Sequence, residues 1–491
     1  MEAAYRELER RLAEVTDLRT AAELLFWDQT VKMPPAGAAV RAEQLATLQR
    51  VAHERLVDDE VGRLLEELRP YEESLAYDSD EASLIRVTRR DWEKERRVPV
   101  ELAADMTKLA SEAMEVWAAC RRESDYATFR PWLDRTLELK RRYVDCFDVA
   151  DPYDALLDDY EPGLTTDRVV AVFDRLAKAL VPLVAEAPRE GDDLPPGPFP
   201  APVQHELSLQ LLRAMGFSED WSRLDPTVHP FCSSSGSHDI RLTTRYSEQD
   251  LSALFTAMHE GGHGLYEAGV AAELERTPLG TGCSMALHES QSRLWEYVVG
   301  RSLPFWRWFY PRLQEAFPDV LRNVGVERFH RAINRVRPSL IRVDADQITY
   351  GLHILLRFEL ERELLSGALS TADLPAAWNE RVRHYLGIDV PDDRSGVLQD
   401  VHWAAGSFGY FPTYQLGNVI AVQVWEAAQA ALPDLDEQVG RGELGPLREW
   451  LGESIYRHGR KLTPEELLER VAGGPIDPEP YLRYLETLVR A

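Results

Sequence analysis

The sequence has only four cysteines, Cys120, Cys146, Cys232 and Cys283, widely spaced and with no Cys-x-x-Cys pair among them. That pattern speaks against a disulfide framework and for a protein kept reduced. Positive charge is also in deficit: 56 Lys and Arg stand against 83 Asp and Glu, for a formal charge of −27. A surface of that sign repels phosphate backbones and anionic lipids, so neither nucleic acid nor a membrane is an expected partner. No apolar run approaches the ~18 residues that a membrane span requires. The opening Met1-Glu2-Ala3-Ala4-Tyr5-Arg6-Glu7 is charged at once and lacks the apolar core of a secretory signal. Residence in the cytoplasm is therefore expected. A fixed-period repeat is absent as well, which argues against a solenoid.

What is present is an ordinary globular composition, 44% hydrophobic and 28% charged over 491 residues, long enough for two or three lobes without demanding them. Residues 1–185 read as successive amphipathic helices. Leu8, Leu12, Val15 and Leu18 recur at helical spacing, as do Leu24 and Leu25 and, beyond a break at Pro34-Pro35, Leu45, Leu48 and Val51. Six prolines between Pro188 and Pro202, with Gly191, Gly197, Asp192 and Asp193, mark a stiff loop or lobe boundary within what is otherwise read as one unit, 1–491. Helix resumes at His205–Met215. The alternating segment from Asp239 to Tyr246 reads as a strand, and the pattern is helical again from Asp250. The expected fold is mainly α, with a small β element beside a central motif.

That motif is His259-Glu260-Gly261-Gly262-His263. Ser247 and Asp250 form a plausible capping box for a helix entering Leu251, Leu254, Phe255 and Met258. On such a helix His259 and His263, four apart, project from one face about one turn apart, the placement two ligands of a tetrahedral zinc require. Glu260, one step round, can reach a water in the open fourth position as general base. Gly261, Gly262 and Gly264 each cost about 1 kcal/mol against alanine inside a helix, and a purely structural helix seldom carries three. Zinc hydrolases keep three protein ligands, so one is still missing. A second helix begins near Met285, where Glu289 and Glu296 lie seven apart on one face with His288 adjacent. A carboxylate here would complete a His-His-Glu site. Glu289 is the first choice, with His288 and Glu296 as rivals.

Further blocks stand in order along the chain: His229-Pro230-Phe231, Asp239-Ile240-Arg241-Leu242-Thr243, His288-Glu289-Ser290-Gln291, Ile341-Arg342-Val343-Asp344-Ala345-Asp346 and Gly396-Val397-Leu398-Gln399-Asp400-Val401-His402-Trp403. Trp27-Asp28-Gln29, Met33-Pro34-Pro35 and Tyr153-Asp154-Ala155-Leu156 add support. With these blocks the chain resembles the M32, or thermostable, carboxypeptidase family of metallopeptidases over essentially its whole length. The resemblance implies a multi-helix fold with a deep central substrate groove and a small sheet beside the catalytic helix, usually as a homodimer. It implies that His259, His263 and Glu289 bind the metal and that Glu260 is the base. One departure is visible: Gly261 stands where the family's familiar form has an aromatic residue, which bears on the width of the groove near the metal.

A carboxypeptidase must also hold a free C-terminal carboxylate, a task suited to guanidinium. Arg342 is the leading candidate, although it could instead pair with Asp344 or Asp346. Arg241 and Arg245, on the strand before the catalytic helix, are alternatives, and that strand's edge could hydrogen-bond an extended substrate. Oxyanion stabilisation could come from His402, Tyr410 or Tyr414. Asp239 and His229 are expected as cleft or outer-shell residues. Cys283, close to Glu289 in sequence, is expected to be a buried small hydrophobe. The donor set suits Zn²⁺ and also accepts Co²⁺ or Mn²⁺. The expected activity is stepwise, broad-specificity removal of C-terminal residues from peptides. The alternatives are an oligopeptidase or dipeptidyl-carboxypeptidase of the same motif, and an inactive peptide-binding scaffold that would have no need of Glu260.

Overall fold

The computed structural model describes residues 1–187 and 191–490, apart from the side chain of the last. The chain forms two compact units. The first comprises Met1–Arg96, Asp193–His330 and Ala421–Pro475; the second comprises Arg97–Asp192, Arg331–Ile420 and Ile476–Ala491. Of the proline-rich loop 188–202, residues 188–190 lie outside the described residues, and 191–200 carry no regular structure.

In the first unit the N-terminal helices are α1 (Glu2–Val31), α2 (Ala38–Leu56) and α3 (Asp59–Ser74). Leu8, Leu12 and Val15, the stripe legible in the sequence, are buried on α1 against Leu56, Leu64, Leu65 and Leu68. Val270, Leu274 and Leu279 complete the same cluster. Each fully buried Leu contributes about 1.5–3 kcal/mol. This packing anchors the stretch that follows the motif-bearing helix and leads to Glu289. Helix α4 (Ala201–Met215) starts four residues before the expected His205, because Pro202 sits in its first turn, where no backbone donor is needed.

Three strands follow, β1 (Ser222–Pro226), β2 (Cys232–Ser234) and β3 (Ile240–Thr244), in the order β1-β3-β2. The expected strand is thus present but trimmed at both ends. β3 pairs parallel with β1, Leu224 opposite Leu242, and antiparallel with β2, Cys232 opposite Leu242. Both edges of β3 are therefore occupied, and the expectation that a substrate could add to it does not hold. Its partners escaped notice for a physical reason. β1 is the polar Ser-Arg-Leu-Asp-Pro and β2 is three residues long, so neither carries an alternating hydrophobic signal.

Next come α5 (Ser252–Gly269), which carries the motif, and α6 (Met285–Arg293), which runs into a π-helical turn at Leu294–Val299. The expected capping box does not form. Helix α5 begins beyond it, with Asp250 Oδ1 accepting from Ser252 N at 2.9 Å, while Ser247 Oγ takes Gln249 N at 3.2 Å. Each side chain satisfies the donor two residues on, as a local turn does.

The second unit is organised on α7 (Thr349–Ser366). Its buried residues include Leu352, Ile354, Leu355, Leu356, Phe358 and Leu360, so it is enclosed on nearly every side. Within that shell His353, Arg357 and Glu361, at four-residue spacing, form a buried polar stripe. Among the described residues no helix is long and apolar enough to cross a membrane, and all four cysteines are free.

Candidate metal centre

The glycines of α5 are explained by what surrounds it. A Cβ at Gly261 would meet Met215 and Leu212 of α4 at 2.8 and 3.0 Å. One at Gly262 would lie 2.5 Å from the Gln291 carbonyl oxygen and 2.6 Å from Ser292 Cα, both backbone atoms of α6. One at Gly264 would strike Ile240 and Leu242 of β3. Three neighbours pack directly on this helix, and each approach needs a missing side chain. Gly261 therefore serves the contact with α4, and the expected link between its small size and groove width has no support in the packing. The contact at Gly262 matters most for chemistry, because it brings the α6 backbone against the motif.

Glu289 of α6 consequently faces both histidines. Its Oε2 is 3.8 Å from His259 Nε2 and 3.5 Å from His263 Nε2. Ligands about 2.0–2.1 Å from a tetrahedral ion are roughly 3.3–3.5 Å apart, so the spacing fits one divalent cation. The three donor atoms all lie within 4.8 Å of one another, and this is the group of His, Cys, Asp and Glu among the described residues that could hold a metal ion. Burial alone would raise the Glu289 carboxyl, but Arg293 and the two histidines hold it well below the usual carboxylate range. Burial, reinforced by His288 and His259, lowers His263 to about 4, which leaves it a neutral imidazole at pH 7. His259 is opposed by burial yet raised by Glu289 and Glu296.

The rival third donors are engaged elsewhere. Glu296 Oε2 lies 2.9 Å from His259 Nδ1, so it sits behind that imidazole as a buried acceptor. His288 Nδ1 is 2.6 Å from His263 Nδ1, and its Nε2 is 2.8 Å from Glu267 Oε1. Arg293 spans the two carboxylates of its own helix, from Nε to Glu289 Oε1 at 2.6 Å and from Nη1 to Glu296 Oε2 at 3.0 Å. Arg293 and Glu267 were not singled out from the sequence. The signal was available: Glu267 follows His263 by one helical turn, and Arg293 follows Glu289 likewise.

Glu260 is buried next to the donor cluster, and burial, with Glu289 and Glu296 adding to it, pushes its carboxyl up to about 7 against the pull of His259. A carboxylate poised near neutrality is suited to taking up and releasing a proton. Cys283 is buried as expected, but its Sγ also accepts a hydrogen bond from the Tyr266 hydroxyl at 3.7 Å.

Asp239 and Arg241, both expected near substrate, pair with each other at 2.9 Å for each of two hydrogen bonds. The Arg241 guanidinium also lies 4.5 Å from the centre of the Trp27 ring. Arg245 is exposed beyond β3, and His229 is exposed on the loop between β1 and β2.

The other candidates belong to the second unit and form a cluster of their own. Arg342 is buried, with Nε and Nη2 on Asp400 Oδ1 at 3.0 and 2.9 Å and Nη1 donating to the Tyr350 hydroxyl at 3.1 Å. The pairing with Asp344 or Asp346 is not made: Asp344 is exposed, and Asp346 accepts from Ile348 N, Thr349 N and the Thr349 hydroxyl at the start of α7. Arg357 donates to the second Asp400 oxygen at 2.7 Å. Burial opposes the Asp400 charge, but the two guanidinium groups hold its carboxyl far below the usual range. His402 Nε2 is 3.2 Å from the Tyr414 hydroxyl, while its Nδ1 is buried with no hydrogen-bond partner. Burial, with Arg342 and Arg357 adding to it against the pull of Asp400, lowers His402 to about 4, so it is neutral at pH 7. Tyr410 packs edge-on against Tyr414, ring centres 5.1 Å apart.

Below this cluster Glu361 accepts from the Tyr153 hydroxyl, Trp403 Nε1 and Gly409 N, tying down the loop that leads to Tyr410. Burial raises its carboxyl to about 7 despite those donors. A folded-state value above the unfolded one contributes stability that is complete below the unfolded pKa and is lost as pH rises through about 7, on the order of 3 kcal/mol in all. The difference in urea unfolding free energy between wild type and Glu361→Leu is therefore expected to shrink from pH 5 to pH 8. A pH-independent difference would contradict it.

A helical protein whose His-His-Glu donors lie beside a buried carboxylate has the arrangement of a metallohydrolase. A family model described as Carboxypeptidase Taq (M32) metallopeptidase matches residues 7–489. The chain belongs to that family, and as a member it is a metal-dependent peptide hydrolase of the carboxypeptidase type. It is 41% identical to thermostable carboxypeptidase 1 of Thermus thermophilus over 99% of this chain and 98% of that one. It is 35% identical to carboxypeptidase 1 of Bacillus subtilis over 96% and 95%. The solved M32 carboxypeptidase from Deinococcus radiodurans R1 superposes with a TM-score of 0.94 at 38% identity, covering 100% of both chains. These relationships do not favour the oligopeptidase alternative.

Proposed function

We propose that the enzyme removes single residues from the free C-termini of peptides, with broad specificity, using a divalent ion held by His259, His263 and Glu289. The observation that supports this best is the spacing of those three donors beside the buried Glu260. Zinc is the proposed metal, with Co²⁺ or Mn²⁺ able to replace it. Bound there, the ion supplies Lewis-acid polarisation of the scissile carbonyl and a more acidic water. Glu260 accepts the proton of the attacking water and delivers it to the leaving amine nitrogen. His402 and Tyr414 are proposed as donors to the oxyanion, and the unpartnered ring nitrogen of the neutral His402 supports that assignment.

Arg342 is proposed to hold the substrate's terminal carboxylate. In its cluster two buried guanidinium groups share the single carboxylate of Asp400, an arrangement one negative charge short of balance. Arg241, Asp239, Tyr410 and His229 remain proposed as contacts along the peptide. Residence in the cytoplasm is proposed from the four free thiols, and a homodimer from the family resemblance.

The test is digestion of one peptide as the free acid and as the C-terminal amide, followed by mass spectrometry. Stepwise loss of terminal residues is expected from the acid alone. Equal cleavage of the amide would refute a carboxylate-dependent exopeptidase.

A further inference from the structure

The two histidines of the motif are backed in unlike ways. Behind His259 lies a carboxylate, Glu296, in direct contact. Behind His263 lies a second imidazole, His288, and only beyond it a carboxylate, Glu267. Glu267 stands on α5 one turn past His263, whereas His288 comes from α6, so the chain His263–His288–Glu267 leaves the helix and returns to it.

Every member of this chain is held. Glu267 Oε1 also accepts from the Thr281 hydroxyl at 2.8 Å and from Gly282 N at 3.3 Å. A Cβ at Gly282 would lie 2.8 Å from His288 Cδ2, so that glycine leaves room for the ring. The Tyr266 ring packs against His288, 5.1 Å between centres and 30° from parallel. Burial would raise the Glu267 carboxyl, but His288, Thr281 and Gly282 hold it low, so it remains an acceptor.

We propose that His288 and Glu267 are positioning residues that fix the ring orientation and tautomer of His263 for metal binding. The inference rests on the reading of His259, His263 and Glu289 as the donors. A neutral imidazole that offers Nε2 to a metal carries its proton on Nδ1. The short Nδ1···Nδ1 contact then requires His288 Nδ1 to accept, which places the proton of His288 on Nε2. That proton is donated to Glu267. Each tautomer along the chain follows from the one before, and the carboxylate at its end fixes the whole series. Partners of this kind commonly contribute 10- to 100-fold to metal affinity.

The test measures Zn²⁺ affinity of metal-stripped protein by competition with a chromophoric chelator, and the visible spectrum of the Co²⁺ form. The wild type is expected to bind one ion per chain. His288→Phe keeps the ring packed on Tyr266 but offers no nitrogen, and its affinity should fall about 10- to 100-fold with a changed Co²⁺ spectrum. His288→Asn places an amide oxygen near the accepting nitrogen, and it should recover most of the affinity. Glu267→Gln should lose roughly threefold to tenfold. A packing role alone would give the reverse order, with Phe tolerated and Asn not. Wild-type affinity in both His288→Phe and Glu267→Gln overturns the proposal, and Glu267→Gln alone decides it if the Phe variant does not fold. A wild type that binds no metal would instead overturn the donor assignment itself.

Discussion

Replacing Glu260 with glutamine is expected to lower kcat by about 10²- to 10⁴-fold while metal content stays at the wild-type level. Glu260 is not among the three converging donors, and glutamine keeps its size and a carbonyl oxygen. What the variant loses is the capacity to take a proton from water and return it to the leaving nitrogen. The interaction exists only as the reaction proceeds, so KM should change little. The pH profile supplies a second check. Burial pushes this carboxyl up to about 7, and a neighbouring divalent charge draws it back down. Wild-type activity should therefore fall as pH drops below an acid limb at or under about 7, since the protonated acid cannot serve as base. Residual activity of Glu260→Gln should lack that limb. Undiminished turnover by the variant would remove Glu260 from the mechanism.

Much of the fold was legible in the sequence wherever the signal was local. The stripe Leu8, Leu12, Val15 announced α1 and its buried face, and His259 with His263 needed only the helical period to be placed together. The glycines of the motif were legible as an anomaly, but not as a reason. That Gly262 admits the α6 backbone depends on a helix starting more than twenty residues later. Strands β1 and β2 were missed because three- to five-residue polar segments become strands only through a partner already in place. For Arg342, proposed to hold the substrate carboxylate, an internal partner was sought at Asp344 and Asp346 and found at Asp400. Nearness in sequence was the wrong guide, since buried guanidinium pairs through tertiary packing and Asp346 is engaged at the start of α7. In contrast, Glu267 and Arg293 obey the same four-residue rule that located the histidines. Charged residues on helices are usually solvated, so the pattern alone gave no cause to set these two apart.

Arg293 is where the second large effect is expected. Its guanidinium lies buried between Glu289 and Glu296, one proposed to hold the metal and the other lying behind His259. Arg293→Met keeps the length and apolar bulk of the side chain but leaves buried Glu289 without its guanidinium and Glu296 with only the more distant Arg301, 3.8 Å away. Breaking a buried pair in this way costs about 3–5 kcal/mol. The loss should be largest in metal-free protein, because a divalent ion at Glu289 replaces part of the missing charge. Urea unfolding should therefore show a greater deficit after chelation than with metal in excess. The pH dependence has a definite sign. In the wild type Glu289 is held below its unfolded value, so its contribution is present above about pH 4 and lost only as pH falls further. Without Arg293 only His259 and His263 oppose burial, so the carboxyl moves up, protonates earlier on the way down from neutrality and relieves the unpaired charge. The stability difference between variant and wild type should narrow as pH is lowered from 8 to 5, and metal affinity should become steeply pH-dependent over the same range, since a protonated Glu289 cannot act as a donor. Arg293→Lys should restore part of the stability by charge alone, without the two-pronged contact. A Met variant as stable as wild type in the absence of metal would show that the guanidinium is not what holds these carboxylates in place.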